Sequence, residues 1–252
     1  MRMKSVVAIG LLGALTAQST AQPADPLAPL FAADTGETRA VLMICDGKVA
    51  ARRYAAGYSD TTRFVSWSMA KTITAALIGE LVADGKLSLD APAPIAEWQG
   101  ANDPRRAITL RHLLHMASGL RNVEVADPVE ASDTNQTLFV SGTEAMAARA
   151  IGAPLEAKPG TKFNYSSLTT LILSEIITRT LTTSTDPRVR ASAYQAFVED
   201  RLFKPAGIKN AVLDFDGAGT QIGGSLIYMT LDDYGRWGQL MLRGQGIDGD
   251  QV

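Results

Sequence analysis

Phe64-Val-Ser-Trp-Ser-Met-Ala-Lys-Thr72 carries a Ser-x-x-Lys tetrad, with Ser68 and Lys71 at its ends, at the start of a long apolar run. Serine alone is a weak nucleophile, because its hydroxyl is hardly ionised at neutral pH. A lysine three residues later shares its face of a helix. An amine partly removed from water gives up its proton more readily and can then take the serine's. The bland alternative is a helix-start serine beside a solvated lysine, and the tetrad is short enough to recur by chance. Context argues against that alternative. Between Ser68 and Asp84 only Lys71 and Glu80 are charged, so the helix reads as buried over most of its surface. An ammonium without a partner is expensive there. A serine at the helix start also aims its backbone N–H, and the positive end of the macrodipole, at an incoming oxyanion.

Outward from this helix, residues 40–45 form a strand-like run, Asp46-Gly47 is a hairpin turn, and 48–58 reads as the returning strand. The helix is expected to stop at Asp84-Gly85, with Gly85 as a left-handed cap. Pro92 and Pro94 keep 87–94 extended. A short helix is expected over 110–117, a polar surface loop over 121–140 beside the site, and helices over 143–151, 168–180, 191–202 and 231–242. Pro159-Gly160 marks a turn before Phe163-Asn164-Tyr165. Tyr165 is either an ordinary half-buried aromatic or a proton carrier next to the lysine.

The first residues read as an export signal. Arg2 and Lys4 precede a short apolar core over 6–15, and Ser19-Thr20-Ala21 is a small-residue cleavage site. That core is about half the roughly 20 residues a spanning helix needs, so no stable membrane insertion is expected and the protein is predicted to be periplasmic or secreted. Residues 22–36 read as a linker or lead-in, and 37–252 as one domain. The 252-residue chain holds 24 basic and 26 acidic residues and no basic stripe, which argues against nucleic acid as a partner. The single cysteine, Cys45, lies in an apolar run and is expected to behave as a core hydrophobe.

Other chemistries find little support. The only histidines, His112 and His115, sit on one short helix, which disfavours a Ser-His-Asp triad. His-Leu-Leu-His lacks the metalloprotease spacing and glutamate, and Asp214-Phe-Asp216-Gly217 has too few ligands for a calcium loop. No metal or organic cofactor is expected.

Four blocks, in order, resemble the class C β-lactamase superfamily of penicillin-recognising serine hydrolases: the Phe64–Thr72 stretch, Ile108-Thr-Leu-Arg-His-Leu-Leu-His-Met-Ala-Ser-Gly-Leu120, Pro159-Gly160 through Tyr165-Ser166-Ser167, and Gly223-Gly224-Ser225 followed by Leu231-Asp232-Asp233. The Ser-Trp-Ser-x-Ala-Lys form resembles most the 6-aminohexanoate-dimer hydrolase and esterase branch. The resemblance implies a mixed α/β (α+β), β-lactamase/transpeptidase-like fold, with an antiparallel sheet, an all-helical region and the site between them. It implies Ser68 as acylated nucleophile, Lys71 as base partner and Tyr165 as proton shuttle. Ser167, where the superfamily often has asparagine, and Trp67 would contact substrate, although Trp67 equally suits core packing. The implied substrate is a small-molecule or peptide-like ester, amide or lactam. The superfamily's later Lys/His-x-Gly strand has no match, so the domain is expected to be C-terminally truncated. That departure also motivates the alternative of a catalytically impaired binding or regulatory protein of the same fold.

Overall fold

The computed structural model describes residues 25–32, 36–244 and 246; the export segment expected over 1–21 lies outside them. The chain divides into a unit up to Thr38 and a main unit from Arg39. In the first, Ala28–Phe31 forms one 3-10 turn, and Asp25 accepts the Leu27 N–H at its start.

The main unit opens with a hairpin of β1 (Ala40–Cys45) and β2 (Lys48–Tyr54). They pair antiparallel from Ala40 opposite Tyr54 to Cys45 opposite Lys48, and the register shifts between Met43 and Ile44. Asp46 and Gly47 both take positive φ, as a tight hairpin turn requires. The second strand ends at Tyr54, short of the expected residue 58. There the chain turns, with the Tyr58 N–H on the Ala55 carbonyl and Gly57 at φ +86°. Cys45 is exposed rather than in the core. Strand alternation directs Leu42 and Ile44 against the last helix, at Gly235, and leaves Met43 and Cys45 outward.

A second antiparallel sheet has the order β3–β5–β4, with β3 at Arg63–Val65, β4 at Val212–Leu213 and β5 at Ile227–Thr230. The helices are α1 (Ala70–Ala83), α2 (Leu110–Leu114), α3 (Asp133–Asn135), α4 (Met146–Ile151), α5 (Ser167–Leu181), α6 (Pro187–Val198), α7 (Lys204–Ala206) and α8 (Leu231–Arg243). Strands and helices together give the mixed α/β architecture that the sequence resemblance implies, with the strands split between two small sheets.

Helix α5 is the axis of the helical region. Every residue from 167 to 178 is buried, the polar ones included: Thr178 returns its hydroxyl to the Ser174 carbonyl and Glu175 pairs with Arg179 and Arg190. Helices α1, α2, α4 and α6 pack around it. From α1 the core receives Ile73, Leu77, Ile78 and Leu81, each worth about 1.5–3 kcal/mol relative to exposure. Gly85, at φ +70°, ends α1 as predicted. Helix α8 packs on β1 and β5.

Residues 121–140 depart from the expected patternless loop. They contain a 3-10 turn over Val129–Ala131, α3 and a wide turn over Gln136–Val140, and Ser132, Thr137 and Leu138 are buried. Hydrogen bonds rather than hydrophobic periodicity order the segment. The Ser132 hydroxyl caps the Asn135 N–H and donates to the Glu124 carbonyl, while Asp133 accepts the Val123 N–H.

Candidate active site

Ser68 lies in a 3-10 turn, Trp67–Met69, between β3 and α1. Buried Ser66 fastens this turn to the sheet. Its hydroxyl donates to the Ser225 carbonyl at 3.0 Å and accepts the Ile227 N–H at 3.2 Å. Trp67 is held at φ +43°, an uncommon conformation for a bulky residue. Its side chain is 55% exposed, which excludes the core-packing alternative.

Tyr165 comes from the segment after the Pro159-Gly160 turn. Gly160, at φ +81°, donates its N–H to the Ala117 carbonyl and leaves no room for a Cβ against the His112 ring. Asn164 then bonds the Met116 carbonyl at 2.7 Å. His112 caps α2 reciprocally with Thr109, so this histidine builds the scaffold that presents Tyr165.

The three predicted residues meet. The Tyr165 hydroxyl donates to Ser68 Oγ at 2.6 Å. Lys71 Nζ donates to Ser68 Oγ at 3.2 Å, to Ser167 Oγ at 3.0 Å and to the Gly224 carbonyl at 2.7 Å. It also lies 5.1 Å from the centre of the Tyr165 ring. Its three acceptors match the three donors of an ammonium; the lysine is partnered, rather than isolated in an apolar wall.

The sequence reading missed Glu124. Its carboxylate accepts the Ser167 hydroxyl at 2.5 Å, the Ser167 N–H at 2.8 Å, the Thr134 hydroxyl at 2.7 Å and the Asn122 amide at 3.1 Å. Burial acts to raise its pKa, but these hydrogen bonds outweigh that and hold the carboxyl below the ordinary glutamate range. A chain therefore runs from Glu124 through Ser167 and Lys71 to Ser68 and Tyr165. A single acid in a polar, aperiodic loop carries no local signature, so only the fold could reveal it.

Ser167 is buried and gives its one proton to Glu124, so it faces Lys71. Ser68, Trp67 and Tyr165 are exposed, and Phe163, two residues before Tyr165, is 70% exposed. Among the described residues, no three or more His, Cys, Asp or Glu side chains are placed to share a metal ion, and no helix is long and apolar enough to cross a membrane.

A family model described as Beta-lactamase matches residues 31–252. A Bacillus anthracis protein provisionally assigned as a 6-aminohexanoate-dimer hydrolase superposes with a TM-score of 0.70 at 23% identity, over 86% of this chain and 57% of its own. A D-stereospecific amidohydrolase from a Streptomyces species gives 0.55 at 20% identity, over 77% and 64%. A class C β-lactamase solved with cefoxitin gives 0.56 at 18%, over 79% and 58%. The chain thus spans less than two thirds of the length of each of these structures. No curated protein matches it.

Proposed function

We propose, because this chain belongs to the beta-lactamase family, that it is a serine hydrolase in which Ser68 attacks an ester, amide or lactam carbonyl and is transiently acylated. The observation that carries this reading is the placement of Ser68 Oγ within hydrogen-bond distance of both Tyr165 Oη and Lys71 Nζ. The reactive form of the Lys71–Tyr165 pair carries one proton fewer than a lysine ammonium beside a neutral phenol, and as Ser68 attacks, its proton fills that vacant position on the pair. Tyr165, the more exposed of the two, returns it to the leaving group. Water then repeats the sequence on the acyl-enzyme with the proton moving the opposite way. The Ser68 N–H, at the start of the helix, supplies an oxyanion donor. Ser167 and Glu124 set the position of Lys71 without touching the reacting carbonyl. Trp67 and Phe163 border the substrate on the open side. The proposed place of action is outside the cytoplasm, on the strength of residues 1–21.

Covalent labelling by a fluorophosphonate or a fluorescent penicillin, located by peptide mass spectrometry, tests the proposal. Label on Ser68 of the native chain and none on Ser68→Ala is the expected result. No label on either protein favours a noncatalytic binding role for the same fold, and equal label on both removes Ser68 from the chemistry.

A further inference from the structure

Three side chains of the segment that carries Ser68 reach one turn, Gly223-Gly224-Ser225, and each takes a different carbonyl. Ser66 donates to Ser225 at 3.0 Å, Lys71 to Gly224 at 2.7 Å and Thr74 to Gly223 at 3.0 Å. The order is reversed between the two segments, so successive donors meet successive carbonyls. The turn lies close against α1 and the start of α5: a Cβ on Gly223 would stand 2.4 Å from Thr74 Oγ1, and one on Gly224 3.1 Å from the Ser167 carbonyl oxygen.

Thr74 is fully buried and sits one helical turn after Lys71. A threonine inside a helix commonly returns its hydroxyl to a carbonyl three or four residues back, as Thr178 and Thr180 do on α5. Thr74 instead sends its hydroxyl across to the turn. Lys71 gains from a turn held in place. A backbone carbonyl can only accept, and Ser167, its proton spent on Glu124, can only accept as well. With the vacant position of the reactive pair on the lysine, its two remaining N–H groups go to Gly224 and Ser167, and its lone pair is left facing Ser68 Oγ. The place of the Gly224 carbonyl therefore sets where that lone pair points.

We propose that Thr74 is a positioning residue for acylation: through Gly223 it fixes the Gly224 carbonyl, and so the direction of the Lys71 lone pair. The proposal rests on the reading of Ser68 as the acylated group. Thr74 acts only through the turn. Ser66 holds the other end of that turn, so loss of the Thr74 hydroxyl frees the Gly223 end while the segment before Ser68 stays fastened to the sheet. Reacting groups respond steeply to such shifts: a misplacement of about 1 Å can cost about 10²-fold in rate.

Labelling by a fluorophosphonate, followed to saturation, and crystal structures of the native chain and Thr74→Val test this. Valine keeps the shape of the side chain and deletes the hydroxyl. The limiting rate of Ser68 labelling should fall by about 10–100-fold with the half-saturating concentration unchanged. Thr74→Ser, which restores the hydroxyl, should label close to the native rate. In the Thr74→Val structure the Gly224 carbonyl should have left hydrogen-bond range of Lys71 Nζ, beyond about 3.5 Å. If valine prevents folding, Thr74→Ala is read by the same criteria. A folded Thr74→Val that labels at the native limiting rate, a Thr74→Ser as slow as the valine variant, or a Lys71–Gly224 bond unchanged in the variant overturns the proposal. Absence of label on the native chain defeats the Ser68 reading instead, and the crystal distance then decides whether Thr74 holds the turn against Lys71.

Discussion

Glu124 and Ser167 are joined at two points: the carboxylate accepts the serine's hydroxyl at 2.5 Å and its backbone N–H at 2.8 Å. A hydroxyl has one proton to give. Once Glu124 takes it, Ser167 can only accept from Lys71, as it does at 3.0 Å. The loop over 121–140 thereby fixes the lysine beside Ser68, while the side-chain hydrogen bonds to Ser68 come from Lys71 and Tyr165.

Glu124→Gln should slow labelling of Ser68 by about 10–100-fold. The neutral amide replaces charge-assisted hydrogen bonds worth about 1.5–3 kcal/mol, and about 1.4 kcal/mol corresponds to a factor of ten. Labelling rates of the native and variant chains measure this; equal rates would remove Glu124 from the proposed relay.

The same glutamate makes stability depend on pH. Its pKa is lowered on folding, so its contribution is fully present above the unfolded glutamate pKa. That contribution falls away as pH drops through the lower folded value. The stability gap between the native chain and Glu124→Gln should be constant from neutral pH to about 5 and shrink in more acid solution. Denaturant titrations at several pH values read this gap directly, and a gap that widens toward acid contradicts the assignment.

Tyr165→Phe removes one exposed hydroxyl and the bond to Ser68. The labelling rate should fall by about 10²–10⁴-fold, the range for a lost acid–base group. Stability should change by no more than about 0.5 kcal/mol, as for most surface positions. A large loss of stability with an unchanged rate would make Tyr165 structural.

At Trp67 the backbone rather than the side chain decides the outcome. With φ at +43°, Trp67→Ala keeps a left-handed conformation that costs about 1–2 kcal/mol, while Trp67→Gly relieves it. Both lose the same exposed indole. The glycine variant should therefore be the more stable of the two by about 1 kcal/mol, and both should react more slowly with bulky aromatic esters. Paired denaturant curves distinguish this from an unstrained site, where alanine would be the more stable.

Gly119 should tolerate no side chain. At φ +79°, a Cβ would stand 2.1 Å from the Ala157 carbonyl oxygen. The Gly119 carbonyl also accepts the N–H groups of Glu156 and Ala157, anchoring the chain that leads to Tyr165. Conformational strain and overpacking together should cost Gly119→Ala about 2–5 kcal/mol. Calorimetry would show this as a lower midpoint, and Ser68 labelling should slow with it.

The sequence by itself determined the helix that carries Ser68 and Lys71, its glycine stop, the tight turn at Asp46-Gly47 and the order of the motif blocks. These are local properties: apolar spacing, turn chemistry and residues within one turn of each other act through neighbouring backbone. The motif resemblance named Tyr165, and the tertiary structure brings it against Ser68, 97 positions earlier; that Glu124 stands behind Lys71 only the packed structure shows. It also decided that Cys45 faces outward, because which side of a hairpin is covered depends on where α8 packs. A hydrogen bond across such separations depends on how α1, α5 and the 121–140 loop pack together. That packing follows from summed apolar burial over many residues, and no short stretch of sequence contains it.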